Sequence, residues 1–345
     1  MIGLDVFRIL AVLFVFLFHS RIHHGCDYGF LNDFIQMGAV FMTGFFMLSG
    51  LVLHATYKSQ VLSEFPNLRK FYLKRIAGIL PLYYLVALVY ILTFGTESTL
   101  ENLVLLPIEA LGLQSVFSSL FEVSHNNGTW FISCLLLCYL VFPLLHEIAK
   151  HISPKLNVLI ILVCTLILLW SPLIVHFFKT DSIYSNPFFR IPEFFIGILL
   201  CSLCQGINLH PKKWLFCWPT FFIEFVILAG AISLCVHHNL FVGNFMLYSW
   251  IALPCFALML LTLSKITTPW LTKSKVLRYL SALSFAFFIA QTLNTDIENA
   301  LFQKFAIDGN LPKILISFGV CFLLAILLHE VVEKPISRYL RKKIS

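Results

Sequence analysis

Long apolar segments separated by short polar connections run along the whole chain. A helix of about twenty apolar residues crosses the hydrocarbon core of a bilayer, so each such segment predicts a membrane span. The predicted spans are 4–22, 36–55, 76–94, 129–148, 157–176, 189–205, 216–236, 245–263, 277–295 and 313–332. The segment 100–121 is also apolar, but Pro107, Gly112 and two glutamates interrupt it, which predicts an interfacial or re-entrant segment. The pattern predicts an all-α, polytopic integral membrane protein with about ten transmembrane helices.

The composition supports the same class of protein. Of 345 residues, 59% are hydrophobic and only 12% are charged, and the mean hydropathy is +0.89. These values lie far outside the range of soluble globular domains. We expect a single transmembrane domain over 1–345 that ends in a short basic cytoplasmic tail at 334–345. Cys201 and Cys204 have CxxC spacing, but both lie inside an apolar predicted span and we expect them to be small packing residues. No HExxH pattern occurs, so we predict no metal site.

Lysine and arginine are distributed unevenly between the two sets of connections. With the N-terminus in the cytoplasm, 19 of the 24 Lys and Arg fall in cytoplasmic segments, whereas the connection 95–128 carries four glutamates and neither Lys nor Arg. This asymmetry obeys the positive-inside rule and predicts that both termini are cytoplasmic. A crossing at 100–121 would invert every later connection and break the rule. The net charge of +7 therefore reflects topology in the cell (inner or plasma) membrane, and we expect the lipid bilayer and no nucleic acid as a partner.

The first predicted span carries two ionisable side chains. Arg8 and His19 are eleven residues apart, about three helical turns, so they lie on one helix face roughly 16 Å apart along the axis. Ionisable groups inside a membrane helix are costly and typically face a protein-lined, partly wet pathway. Taken singly, Arg8 could instead be an anchor at the headgroups and His19 an interfacial residue. Asp5 lies one turn before Arg8, can pair with it, and is a candidate substrate-binding residue.

Five further candidate substrate-binding residues lie near the ends of predicted spans. Lys74 and Arg75 precede the main apolar part of the third span, where a basic pair either sets orientation or binds phosphate. Trp130 begins the fourth span, a position that is also typical of the aromatic belt. Arg190 and Glu193 begin the sixth span three residues apart, so they can pair on one face, either at a functional site or between helices.

The motifs follow one another in an order that is known from one family. That order is LDVFR at 4–8 with His19 eleven residues after Arg8, GFFMLSG at 44–50, FYLKRIAGILP at 71–81, TWFIS at 129–133, RIPEFFIG at 190–197, LSFAFFIAQ at 283–291 and EKP at 333–335 before a basic tail. Together they resemble membrane acyltransferase family 3, the polytopic carbohydrate O-acyltransferases. Each motif alone is weak, but their order across ten spans is specific and covers nearly the whole chain.

The resemblance implies transfer of an acyl group, usually acetyl from cytoplasmic acetyl-CoA, to a hydroxyl of a cell-envelope glycan. The family's arginine and catalytic histidine correspond to Arg8 and His19, which are the candidate catalytic residues, and its basic cluster corresponds to Lys74 and Arg75. Arg8, Lys74 and Arg75 all lie near the cytoplasmic face, where they would bind the phosphates of the donor. Acetyl-CoA, or another acyl-CoA, is then a donor substrate, the glycan is the acceptor, and no bound cofactor is expected.

The sequence departs from the family pattern at three positions, where Gly78 replaces an arginine, Leu135 a glutamate and Gln291 a histidine. His19 could act as a general base or as a carrier that is itself acylated, and the sequence does not separate these routes. The alternative from another class is a transporter or flippase for a lipid-linked glycan, in which charges line a passage without chemistry. The lack of an internal inverted repeat disfavours that alternative.

Overall fold

The protein is described here by a computed structural model that covers residues 1–94, 99–117, 120, 124–125, 127–179, 183–206, 217–240, 249–266 and 268–344. Over these ranges the chain is largely helical and contains no strand, so the predicted all-α class is confirmed. The ten long helices are α1 Ile2–His24, α2 Phe41–Tyr57, α3 Phe65–Phe94, α4 Trp130–His151, α5 Pro154–Phe178, α6 Pro187–Gly206, α7 Trp218–His237, α8 Ser249–Lys265, α9 Lys275–Lys304 and α10 Asn310–Leu327. The shorter helical segments are Gly29–Leu31, Asn32–Ile35, Gly38–Val40, Thr99–Ala110, Asn127–Thr129, Pro269–Lys273, Leu328–Glu333 and Lys334–Ile344.

Each long helix coincides with one predicted span. Among the described residues, nine helical segments are long and apolar enough to cross a bilayer. The tenth, α8, has 17 residues, about 25 Å at 1.5 Å per residue. The first residues of its predicted span, 245–248, lie outside the described residues. Both α3 and α9 have 30 residues and extend beyond the predicted 76–94 and 277–295.

The apolar segment before α4 does not form a spanning helix. Its helix, Thr99–Ala110, has 12 residues, about 18 Å, which is too short for the hydrocarbon core. The segment instead docks on its neighbours, because Tyr83 Oη of α3 donates to the Glu109 carbonyl at 2.6 Å and Ser133 Oγ of α4 donates to the Gly112 carbonyl at 2.6 Å. This agrees with the predicted interfacial or re-entrant segment.

Contacts between helix ends divide the bundle into two faces. The N-terminal parts of α1 and α9 meet through Arg8 and Ser281, and their C-terminal parts meet through His24 and Glu298. We call one end of the bundle the basic face. It holds the first residues of α1, α3 and α9 and the last residues of α2 and α4. We call the other end the opposite face. The distribution of Lys and Arg predicts that the basic face is cytoplasmic.

The centre of the bundle depends on a close approach of α2 and α6. A Cβ built on Gly50 would lie 2.0 Å from the Phe194 carbonyl oxygen, and one on Gly197 would lie 1.9 Å from the Met47 carbonyl oxygen. Each glycine therefore admits the backbone of the other helix, as small residues do between membrane helices. This crossing joins the helices that carry the GFFMLSG and RIPEFFIG motifs.

The last membrane helix changes its geometry before the tail. After α10 the chain forms a π-helical turn, Leu328–Glu333, and then the tail helix Lys334–Ile344. Pro335 lacks an N–H, and its ring crowds the carbonyl four residues earlier, which favours a wider turn at this point. The tail helix packs against α3. As a result, Glu333 lies beside the basic end of α3, where it lines the cavity described next.

Candidate active site

A cavity of about 300 Å³ lies between α1, α2, α3, α4, α9 and the π-helical turn. Its charged lining consists of Arg8 from α1, Lys74 and Arg75 from α3, and Glu333 from the turn. We call it the basic cavity. The sequence predicts the three basic residues as donor-binding groups near the cytoplasmic surface, and the fold brings all three to this one cavity.

Arg8 is held by a short network that includes α9. Its Nη1 donates to Ser281 Oγ at 3.1 Å, and Ser281 Oγ donates in turn to Asp5 Oδ1 at 2.7 Å. Arg8 Nη1 lies 3.7 Å from the same Asp5 oxygen, so the predicted pairing of these two residues occurs. About a third of each side chain is exposed, at 31% for Arg8 and 29% for Asp5. The network thus orients the guanidinium and still leaves part of it open to a ligand.

Arg75 is surrounded by aromatic rings. Its guanidinium carbon lies 5.8, 5.8 and 5.9 Å from the ring centres of Tyr57, Phe71 and Tyr139, within cation–π range. Its Nη2 donates to Tyr57 Oη at 3.5 Å. Within the described part of the chain, its buried Nε has no hydrogen-bond partner. Arg75 is therefore fixed in position by the rings, and the part of its side chain that lines the basic cavity can meet an anionic ligand.

Three phenyl rings line the basic cavity at the positions on α2, α4 and α9 that are farthest from the basic face. Phe45, Phe131 and Phe288 all line the cavity. Their ring centres are 6.1 Å apart for Phe45 and Phe131, 6.3 Å for Phe45 and Phe288, and 5.0 Å for Phe131 and Phe288. Each ring thus contacts the other two at ordinary aromatic spacing. We call this set the phenyl cluster.

His19 lies near the opposite face on the same side of α1 as Arg8, as predicted, since both contact α9. Its Nδ1 lies 2.8 Å from Gln291 Oε1. Gln291 Nε2 donates to the Val12 carbonyl at 3.4 Å, so the amide oxygen faces the imidazole and accepts from Nδ1–H. This arrangement leaves Nε2 with its lone pair, the form that a general base needs. His19 is not among the described residues that line the basic cavity.

The remaining sequence candidates form a buried cluster, and they are not among the described residues that line the basic cavity. Arg190 Nη1 lies 2.9 and 3.0 Å from the two carboxylate oxygens of Glu193, and each side chain is only 1% exposed. Thr43 Oγ1 of α2 donates to Glu193 at 2.8 Å, and Trp130 of α4 lies 5.4 Å from the guanidinium carbon. The pair therefore joins α2, α4 and α6, as the helix-joining alternative expects, and its role in substrate binding stays a prediction.

The three departures from the family pattern are all found at the site. Gly78 and Leu135 line the basic cavity, and Gln291 holds His19. A Cβ on Gly78 would meet nothing within 4 Å, so this position leaves open space where a longer side chain would reduce the cavity.

Sequence reasoning missed several polar residues of the cavity, and three of them make identifiable contributions. Ser281 joins Arg8 to Asp5, Tyr139 lies over Arg75, and Glu333 supplies a carboxylate to the lining. Ser281 is 273 residues from Arg8 along the chain, and no periodic pattern within one helix reports a contact of that range. Glu333 is part of the EKP motif, so the sequence indicated that this position matters but not that its carboxylate lines the cavity.

The fold and the cavity define a polytopic membrane protein with a basic pocket at one face and an oriented histidine at the far end of the same helix. The chain belongs to the acyltransferase 3 family, whose model, described as an acyltransferase domain, matches residues 1–330. It is a multi-pass membrane acyltransferase. No curated protein and no solved structure shows significant similarity to it.

Proposed function

We propose that this acyltransferase moves an acetyl group from cytoplasmic acetyl-CoA to a hydroxyl of a cell-envelope glycan at the inner or plasma membrane. The observation that carries the proposal is the meeting of Arg8, Lys74 and Arg75 in one cavity at the basic face, with His19 at the other end of the Arg8 helix face. Donor phosphates and acceptor hydroxyl would then approach from opposite sides.

The basic cavity suits the donor. Guanidinium and ammonium groups form charge-assisted hydrogen bonds with phosphate, and those of Arg8 and Arg75 are oriented by Ser281 and by aromatic rings. The roughly 16 Å between Arg8 and His19 along α1 is of the order of the length of a pantetheine arm. The phosphates therefore stay at the basic face while the thioester extends toward His19, and CoA need not cross the membrane.

His19 has the geometry of a general base. Its Nε2 removes the proton of the acceptor hydroxyl as the oxygen attacks the thioester carbonyl carbon. The carbon–sulfur bond breaks, and His19 returns the proton to the departing thiolate. The products are the acetyl ester and the CoA thiol, with no net gain or loss of protons.

A covalent route has the same starting geometry. In it, Nε2 attacks the thioester carbonyl carbon, the carbon–sulfur bond breaks and CoA leaves as the thiol with the imidazole proton. The acetyl group then passes from His19 to the acceptor oxygen, and the hydroxyl proton returns to the imidazole. Radiolabelled acetyl-CoA supplied without acceptor distinguishes the routes, because label trapped on His19 requires the covalent route and an unlabelled histidine in active protein favours direct transfer.

The function is tested by comparing envelope glycans from cells with and without the gene. We expect the loss of one O-acetyl substituent in cells without it and its return with the wild-type gene but not with His19→Ala at equal protein level. An unchanged O-acetyl content in all strains would contradict the proposal and favour a protein that moves a glycan without modifying it.

A further inference from the structure

The phenyl cluster lies between Arg8 and His19 in depth. On α9, Ser281 contacts Arg8 and Gln291 contacts His19. Phe288 lies seven residues beyond Ser281 and three before Gln291, about 10 Å and 5 Å along the helix axis. The basic cavity ends at the level of Phe288 and its two partner rings, before the level of His19.

The cluster is tightly packed at this depth. Phe45, Phe131 and Phe288 are 9%, 6% and 8% exposed, and they come from three different helices, α2, α4 and α9. Rings from three sides close the end of the cavity more completely than a single side chain would. Because aromatic rings are large and stiff, the free space ahead of them has a defined limit.

The donor would meet this limit with its acyl end first. The phosphates of an acyl-CoA are held by Arg8, Lys74 and Arg75 at the mouth, so the acyl group is the leading end of the extended arm. An acetyl group adds one methyl beyond the thioester carbonyl, whereas each further methylene must occupy the space taken by the rings. A filled pocket discriminates between ligands that differ by one methylene by roughly 10- to 200-fold.

We propose that Phe45, Phe131 and Phe288 determine acyl-chain length. An acetyl group that reaches the rings brings its thioester carbonyl to the end of the basic cavity nearest His19, whereas a longer chain stops at the rings and holds its carbonyl back toward the basic face. This proposal rests on the proposed use of acyl-CoA as donor. The three side chains belong to the motifs GFFMLSG, TWFIS and LSFAFFIAQ. The proposal gives them a role in donor specificity and does not require them to take part in the chemistry.

The test compares acetyl-, butyryl- and hexanoyl-CoA with the purified full-length protein in liposomes, using envelope glycan from cells that lack the gene as acceptor. CoA thiol release gives the rate for each donor. We expect the wild type to favour acetyl over butyryl by about tenfold or more, and Phe131→Ala to reduce this ratio by about tenfold. Phe288→Leu, which keeps a large aliphatic side chain, should shift it in the same direction by less.

Phe256→Ala is the matched control. Phe256 is fully buried, with its ring 5.8 Å from that of Phe7 and 5.3 Å from that of Phe41, and it is not among the described lining residues of the basic cavity. This variant should keep the wild-type ratio even where its total activity falls.

Two outcomes would overturn the inference, namely a wild type that uses all three donors equally, or a ratio that is the same in Phe131→Ala, Phe288→Leu and Phe256→Ala. A wild type that transfers no acetyl group contradicts the proposed function instead. In that case calorimetric binding of the three acyl-CoAs to the same variants still tests whether the rings limit chain length.

Discussion

At the scale of single residues, the hydrogen bond between His19 and Gln291 is the contact that most directly prepares the proposed chemistry. Gln291→Leu leaves the Nδ1–H without its acceptor, which costs about 1–3 kcal/mol, or roughly 5- to 150-fold in rate if it is felt in the transition state. Gln291→His restores an acceptor nitrogen and should retain most of the activity. Initial rates of O-acetylation with the three proteins measure the effect.

Binding measurements separate this role from a general loss of structure. Both Gln291 variants should bind acyl-CoA like the wild type, because Gln291 is not among the described lining residues of the basic cavity. Equal activity of Gln291→Leu and the wild type would show that the bond does not position the imidazole.

The residue scale also shows what a sequence can reveal of a site. Arg8 could be identified because it is a charged residue within an apolar span. His19 could be placed on the same helix face as Arg8 from their spacing. Both signals are local in the sequence. The role of Phe131 could not be predicted, since it is one of 36 phenylalanines and only its position at the end of a cavity distinguishes it. Likewise, the sequence paired Arg190 with Glu193 but could not show that α2 and α4 enclose them.

At the scale of helices, the crossing of α2 and α6 should be sensitive to a single methyl group. Gly197→Ala places a Cβ against the Met47 carbonyl, and relief of the clash requires the helices to move apart. Overpacking of this kind costs about 1–3 kcal/mol. We expect a lower yield of monodisperse protein and a lower Tm in detergent.

Gly230→Ala in α7 provides the matched comparison. A Cβ on Gly230 meets nothing within 4 Å, and alanine has a higher helix propensity, so the variant should be as stable as the wild type or slightly more so. A lower Tm for Gly230→Ala than for Gly197→Ala would contradict this account of the packing.

At the scale of the whole molecule, the proposed division between donor and acceptor sides requires a basic face in the cytoplasm. Single cysteines at Lys58 or Arg338, both exposed on that face, should react with an impermeant maleimide only after the membrane is permeabilised. Cysteines at Phe30 or Glu101 should react in intact cells. The unsubstituted protein serves as the background for its ten native thiols. If the cysteine at position 101 reacts only from the cytoplasmic side, this segment lies on the opposite side of the membrane from the one predicted.

Most of this large-scale organisation could be predicted, because hydropathy and the positive-inside rule depend on composition along the chain. Those patterns predict the ten helices and the non-spanning segment before α4. They also predict that Lys74 and Arg75 lie at the same face of the membrane as Arg8. The turn that brings Glu333 to the cavity could not, since its position depends on how that turn and the tail helix pack against α3.

The most direct test of the central claim is acyl-CoA binding by calorimetry, combined with turnover, for Arg8→Ala, His19→Ala and the control Arg21→Ala. Arg21 is on the same helix near the opposite face, where its Nη1 donates to Asn32 Oδ1 at 2.8 Å. Arg8→Ala should weaken binding by about tenfold or more, as expected when a charge-assisted contact to phosphate is removed.

His19→Ala should bind acyl-CoA within about twofold of the wild type while turnover falls by roughly 100-fold or more, because a general base acts mainly in the transition state. Arg21→Ala should match the wild type in both measurements. If Arg8→Ala binds normally and His19→Ala does not bind, the donor site lies near the opposite face and the proposed division of roles along α1 is wrong.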